Sequence, residues 1–554
     1  MPKLTTELTT DFKQGMVDNT AGTRFPADAL ALIVNGRLEA DATVRHRGGS
    51  ARLHASEHNS GAIGFGAFSF IKADGTVQWI LIFGDTAYKS EDYGATFSQI
   101  ATGLRQDYYD FATMRVGASN YLLMANGGTL IQRWDGTTWD TLTNTPTGGV
   151  KHIAVFNGRL YVTGHNGVLV QASKIADPTV FASPDGLTVQ ILVSSGNTPT
   201  GLHQSGAHLL VFDERQVSYI DGFGEQTIIV ASGATGVSRS VGCIAFRSIV
   251  SAGDQGVCWF SKRGIEFYTP GSEIVLLSRK ITENISGVDH AELMGNPGRP
   301  TACYDEALEE YRLAIALSGT RNDIIYRASL RQRSQTRFGA MSVDIPRSLS
   351  GSVLFLGGAD GYLATGDGYD FKATSSGYVA LATIGADGDP TDDDGNGYLT
   401  TVVDDTMPST IFLARTAQNP GIVHSVGYDG FLRVLGTGML DDVLSDGTGG
   451  TAVTMNIVGK PFFFGSVRHG KKVRVAHVAS VNESPAQFSV GVRSAGALGA
   501  LTTATMPSTS LTQAKRKRIM VHAKGDAPQL ELRTNDDMRI TMLGLSAIVR
   551  KERV

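Results

Sequence analysis

Cysteine is scarce in this chain of 554 residues, with only Cys243, Cys258 and Cys303, set far apart. An odd, dispersed trio offers no disulfide framework, and zinc ligation would need a tighter cluster with histidine partners. Their expected role is that of small buried hydrophobes in a reducing compartment. Apolar runs are short too: the longest, such as Trp79-Ile80-Leu81-Ile82-Phe83, match a strand and cannot cross a bilayer as a helix. The opening MPKLTTELTTDFKQG lacks the apolar core of a secretory signal, so synthesis in a cytosol without secretion is expected. A basic surplus is missing as well. The formal net charge of −4 argues against a general nucleic-acid binder, yet it suits a surface that DNA passes without being gripped.

Catalytic signatures are absent from the sequence: no Gly-x-Ser-x-Gly elbow, P-loop, His-Glu-x-x-His or Cys-x-x-Cys pair. The densest histidines, His46, His54 and His58, lie in a Gly/Ser-rich connector and are expected to be solvated loop residues rather than metal ligands. No enzyme, cofactor or metal is therefore expected.

Glycine is what the chain has in excess, 66 residues against 17 prolines. Gly inside a helix or strand costs roughly 0.5–1 kcal/mol relative to Ala, so most must sit at turns, and many turns mean many short strands. Apolar residues make up 42 % of the chain, enough for a real core. Strand-like runs recur at Gln78–Phe83, Tyr121–Ala125, Arg159–Thr163, His208–Phe212, Ser248–Ala252, Tyr311–Leu317 and Ser352–Leu356, each followed by a turn and another strand. Their spacing of roughly 40 to 60 residues resembles that of four-stranded propeller blades. The expected fold is all-β, a β-propeller of six or seven blades with an N-terminal arm and a C-terminal β-sandwich-like domain. The expected division is 1–54 arm and lead-in, 55–375 propeller, 376–454 irregular connector and 455–554 C-terminal β-domain. Helix is expected only at Pro26–Leu38 and, briefly, at Glu306–Tyr311.

Ser90-Glu91-Asp92-Tyr93-Gly94-Ala95-Thr96-Phe97 fits the Asp-box hairpin that resembles those of sialidase-type propellers. Ser90, Asp92, Gly94, Thr96 and Phe97 carry it: the carboxylate can accept backbone N–H groups, Gly can take φ > 0, and the aromatic anchors the hairpin. Such boxes lie away from the propeller axis, where chemistry occurs. A sialidase would also need an arginine cluster, a Tyr–Glu pair and an acid/base Asp, and Thr23-Arg24-Phe25-Pro26 has the early Arg and aromatic in the wrong order. A carbohydrate-active or carbohydrate-binding propeller, sialidase-like glycosidase or lectin, is thus the alternative function class.

Three charged segments remain. Lys515-Arg516-Lys517-Arg518 enters a C-terminal strand, and Arg327, Arg331, Arg333 and Arg337 lie in a polar stretch. Either cluster suits a subunit interface or DNA contact, although solvated strand ends account for them as well. The loop 387–397 holds five Asp within eight residues but departs from the EF-hand spacing, so a solvated loop is expected rather than a Ca²⁺ site.

An ordered series opens the chain: Asp11-Phe12-Lys13-Gln14-Gly15, Arg24-Phe25-Pro26-Ala27-Asp28-Ala29-Leu30, Asn35-Gly36-Arg37 and Arg45-His46-Arg47-Gly48-Gly49. A second stretch, Gly427-Tyr428-Asp429-Gly430-Phe431-Leu432-Arg433, precedes Asp441-Asp442. Together they resemble the tail nozzle proteins of short-tailed bacteriophages, also called tail tubular protein B. The resemblance implies a structural virion protein of the viral tail, assembled in the host cytoplasm as a homo-oligomeric ring, usually a hexamer. It would sit below the portal and its adaptor ring, meet a tailspike, fibre or needle protein, and form the lower channel for genome ejection, with DNA passing without sequence-specific binding. The N-terminal arm could then wrap a neighbouring subunit.

Overall fold

The computed structural model describes residues 4–18, 24–39, 41–128, 130–167, 169–190, 199–221, 229–231, 241–281, 285, 288, 290–317, 320–330, 341–344, 361–364, 369–373, 379–383, 400–401, 408–414, 422–464, 471–494, 497–508 and 514–549. The fold is all-β and built on a propeller. Six antiparallel four-stranded units follow one another over residues 64–101, 110–141, 152–190, 201–231, 250–276 and 301–344. A seventh combines Pro408–Ala414, Ile422–Gly427 and Leu432–Thr437 with a strand from the other end of the chain, Gly49–Arg52. First strands of most successive blades touch, and that of the seventh, Pro408–Ala414, packs on that of the first, Gly64–Ile71, closing the circle.

Period-two patterning explains why each blade sits between two neighbours. In Val77–Phe83 every residue is buried. Trp79, Leu81 and Phe83 enter a core with Phe412, Val426 and Leu432 of the seventh blade. Ile80 and Ile82 face the other way, onto Tyr109, Leu122, Met124 and Trp134 of the second. Alternate side chains of one strand thus serve two inter-blade cores, and a continuous apolar run results.

Most of the remaining strands form a two-sheet sandwich. One sheet joins Lys471–Val481, Lys515–Gly525 and Arg539–Val549 to the N-terminal strands Leu4–Thr9, Gly36–Leu38 and Val44–His46. The other carries Leu32–Val34, Met455–Val458, Gln529–Thr534 and Ala486–Ser494, and it continues through Met341–Asp344 into the sixth blade.

Several expectations are corrected here. The first 54 residues are no free arm: Phe12, Leu30, Ile33 and Val44 lie in one core with Val473, Leu532 and Leu545 of the C-terminal strands. Pro26–Leu38 forms short strands, because its apolar side chains fill that core while backbone groups pair with the C-terminal sheet, as Ala31 N–H does with the Val458 carbonyl at 2.9 Å. Residues 306–309 turn, with Glu309 at φ 51°, and lead into the strand Glu310–Ile315. The connector 376–454 contains the seventh blade, and strands between 361 and 401 make a separate four-stranded sheet before it. The acidic loop 387–397 lies outside the described residues. Cys243, Cys258 and Cys303 are buried and unbridged.

Candidate functional site: the ion-paired seam that closes the propeller

Closing a ring of blades with a strand from the far end of the chain requires strong local specificity, and charged groups supply it. Gly49–Arg52 runs antiparallel to Leu432–Thr437, with Arg52 opposite Arg433. Two cations side by side would repel. Asp442 sits against both: Arg52 Nε donates to its Oδ1 at 2.8 Å and Arg433 Nε to the same oxygen at 2.9 Å. Arg433, only 1 % exposed, also donates Nη1 to Asp429 Oδ1 at 2.9 Å. Burial works against the Arg433 charge, but the Asp429 and Asp442 carboxylates outweigh it and hold its pKa above the ordinary value.

A second pair lies beside the first. Arg47 donates Nη1 to Asp441 Oδ1 at 2.9 Å and Nε to Asn35 Oδ1 at 2.9 Å, and Ser50 Oγ reaches Asp441 at 3.3 Å. Both members of this pair are buried. Since an isolated buried charge is far more costly than a paired one, these contacts fix the register of the closing strand. The backbones approach so closely that side chains are excluded: a Cβ on Gly49 would stand 1.9 Å from the Leu440 carbonyl oxygen, and one on Gly48 2.4 Å from that of Gly436. Gly49→Ala is therefore expected to cost about 3 kcal/mol or more, read as a lowered thermal unfolding midpoint. A loss under about 1 kcal/mol would show that the seam can spread to admit a methyl group.

The three clustered histidines belong to this seam, which corrects their expected solvation. His46 is buried with its ring nitrogens 2.6 and 2.7 Å from the carbonyl oxygens of Arg47 and Val453. His54 Nε2 accepts the Leu432 N–H at 3.0 Å, and its ring stacks on Phe431 with centroids 5.4 Å apart. His58 packs among Phe83, Tyr88 and Phe97. Burial, helped by neighbouring His54, pulls the His58 pKa down to about 4. Among the described residues no cluster of His, Cys, Asp or Glu could hold a metal.

The Asp box stands next to the seam, between the third and fourth strands of the first blade. Asp92 accepts Thr96 N–H at 2.9 Å and Ser90 Oγ–H at 2.8 Å, and Ser90 Oγ accepts Gly94 N–H at 2.9 Å. Hydrogen bonds from Thr96 lead in holding the Asp92 pKa below its ordinary value. Gly94 takes φ 90° and leaves a Cβ no room beside Leu53 and Trp79. Phe97 meets His54 and His58 edge-on, so the hairpin bears on the closing segment.

Where first strands of several blades begin, polar groups are consumed by the fold. Half-buried Arg247 donates to the carbonyl oxygens of Gly298 at 2.9 Å and Ser409 at 3.1 Å and to Thr410 Oγ1, while its guanidinium lies 4.8 Å over the Tyr108 ring. Burial lowers its pKa to about 10. Asp110 accepts N–H bonds from Ile153 and Phe111 at 3.1 and 3.0 Å, and burial pushes its carboxyl up to about 7.

Sequence reasoning located the Asp box and both halves of the seam but did not bring those halves together; complementary charges at Arg47, Arg52 and Asp441-Asp442 were the available signal. Arg331, Arg333 and Arg337 lie outside the described residues, while Arg327 is buried near Glu310. Lys515, Arg516, Lys517 and Arg518 are exposed on a strand that pairs on one side with Lys471–Val481. No helix among the described residues is long and apolar enough to cross a membrane.

No family model matches the chain, and no curated protein does. Solved structures similar to it include the RRP9 WD40 repeats, at 11 % identity over 71 % of this chain and 99 % of that one, TM-score 0.33. YCF48 bound to D1 peptide shares 12 % identity over 69 % and 94 %, TM-score 0.34. A chain of the Mitotic Checkpoint Complex shares 11 % over 76 % and 99 %, TM-score 0.37.

Proposed function

We propose that this chain is a structural tail subunit of a short-tailed bacteriophage, a nozzle protein that forms a ring and extends the DNA-ejection channel below the portal and adaptor. The observation that supports it is the seam. The two motifs that carry the family resemblance, Arg45–Gly49 and Gly427–Arg433 with Asp441-Asp442, meet in one buried ion-pair network. Their residues serve architecture, as a wall element requires. Arg247 packs over Tyr108 where blade strands begin, and the channel in this reading runs between subunits and not through the propeller. Six copies at −4 each carry −24, a wall that repels DNA more than it grips it. The exposed strand Lys515–Arg518 suits a contact with a neighbour, an adaptor or a distal spike, fibre or needle protein.

Negative-stain imaging and light scattering of the purified protein, alone and with its adaptor ring, test this. Closed rings of subunits are expected. A strict monomer that ignores the adaptor overturns the reading.

A further inference from the structure

A cavity of about 320 Å³ opens between the first two blades, with none of the seam residues in its lining. It lies where the chain leaves the last strand of the first blade, Ser98–Ala101, and its walls include Arg105, Tyr109, Asn126, Leu130, Gln132 and Trp139. These walls are held in place by bonds that define what remains to offer. The Arg105 carbonyl accepts both Tyr109 Oη–H and Asn126 Nδ2–H at 3.1 Å, which ties the inter-blade loop to the second blade. Trp139 Nε1–H donates to Gln132 Oε1 at 3.0 Å, so the Gln132 carbonyl is engaged and its amide N–H groups are the donors it can present. Asn126 Oδ1 likewise accepts Gly128 N–H at 3.3 Å. The one cation, Arg105, is turned to the Gly127 carbonyl at 2.8 Å and to Asp107.

We propose that this cavity binds one neutral sugar ring. The half-buried Trp139 ring suits the C–H face of a pyranose, the amide donors suit its hydroxyl groups, and the engaged Arg105 leaves no strong charge to recognise. The volume is at the low end for ligand pockets, matching one ring rather than a chain. The site needs no catalytic residue, and the inference is independent of the nozzle reading.

Trp139 itself reports on occupancy. Trp79, Trp134 and Trp259 are buried, whereas Trp139 is half-buried at the cavity wall. Titrating the full chain with glucose, galactose, mannose and N-acetylglucosamine to about 50 mM is expected to change tryptophan emission saturably for at least one, with a millimolar Kd. Saturation-transfer NMR with that sugar would then compare variants. Gln132→Glu keeps the acceptor for Trp139 but removes the amide donors, and should weaken binding at least about fivefold with circular dichroism unchanged. Trp139→Ala should abolish the signal. The proposal fails if none of the four sugars binds, or if both variants bind like the wild type. Ring formation is read separately, so either idea can fall alone.

Discussion

Replacing Arg433 by Ala should produce one of the largest single-residue losses of stability in this molecule, about 3–5 kcal/mol of apparent unfolding free energy. The guanidinium bridges Asp429 and Asp442, and its removal leaves Asp429 without its bidentate partner and Asp442 with Arg52 alone. Asp442 is largely buried, with 12 % side-chain exposure. The lost cation also packs over the Phe431 ring, against which Arg52 lies at 4.0 Å on the same residue. Since Arg52 belongs to the closing strand, weakening Asp442 loosens the join between the two chain ends. Urea unfolding should give the loss, and limited proteolysis should cleave earlier near residues 47–54. Arg433→Met is the informative companion: it refills the apolar volume but leaves the carboxylates uncompensated, so it should recover only a minor part. If the alanine variant loses less than about 1 kcal/mol, the seam is a solvated ion pair and not a closure device.

How much of this was legible beforehand depends on the range of each interaction. A bond confined to one turn leaves its mark in adjacent residues, as where Asp135 Oδ1 accepts the N–H groups of Thr137 and Thr138, both at 2.7 Å, in the Trp134–Trp139 hairpin. The Asp box was legible for the same reason. The strand alternation of the C-terminal sandwich was visible, but its N-terminal partners were not: Ala29-Leu30-Ala31-Leu32-Ile33-Val34 is as compatible with a short helix as with strands, and only the distant Val458 and Ile457 decide between them. The place of the seventh blade was not legible, because the sheet between 361 and 401 interrupts the blade spacing and its fourth strand comes from residue 49 onward. Ion pairs between residues nearly 400 positions apart leave no periodic trace. They show only as opposite charges in two distant segments, Arg47 in one and Asp441-Asp442 in the other.

Acidification from pH 7 to 5 should destabilise the fold by several kcal/mol, before carboxylates in the ordinary range titrate. Burial drives the pKa of His58, His203, His424 and His477 down to about 4 and that of His152 to about 3. Two nearby arginines, Arg516 and Arg518, reinforce the effect at His477. In the unfolded chain each imidazole takes up its proton near pH 6.5, while the folded chain refuses it until about pH 4 or lower. The unfolded state therefore binds more protons throughout that window, and stability falls as pH falls. Each site contributes up to about 2 kcal/mol between pH 7 and 5. Two groups oppose this: Asp110 and Glu310, both raised by burial, favour folding as they protonate. With five histidines against two carboxyls, the decline prevails. His424→Phe isolates one site, since its ring already packs against Trp79 and Phe412 at 4.8 and 5.8 Å and an uncharged aromatic keeps those contacts. Below pH 6 that variant should lose about 1.4 kcal/mol less stability per pH unit than the parent. Urea unfolding at pH 7, 6 and 5 measures both slopes, and a stability that stays level or rises toward pH 5 would show that these rings are protonated within the fold.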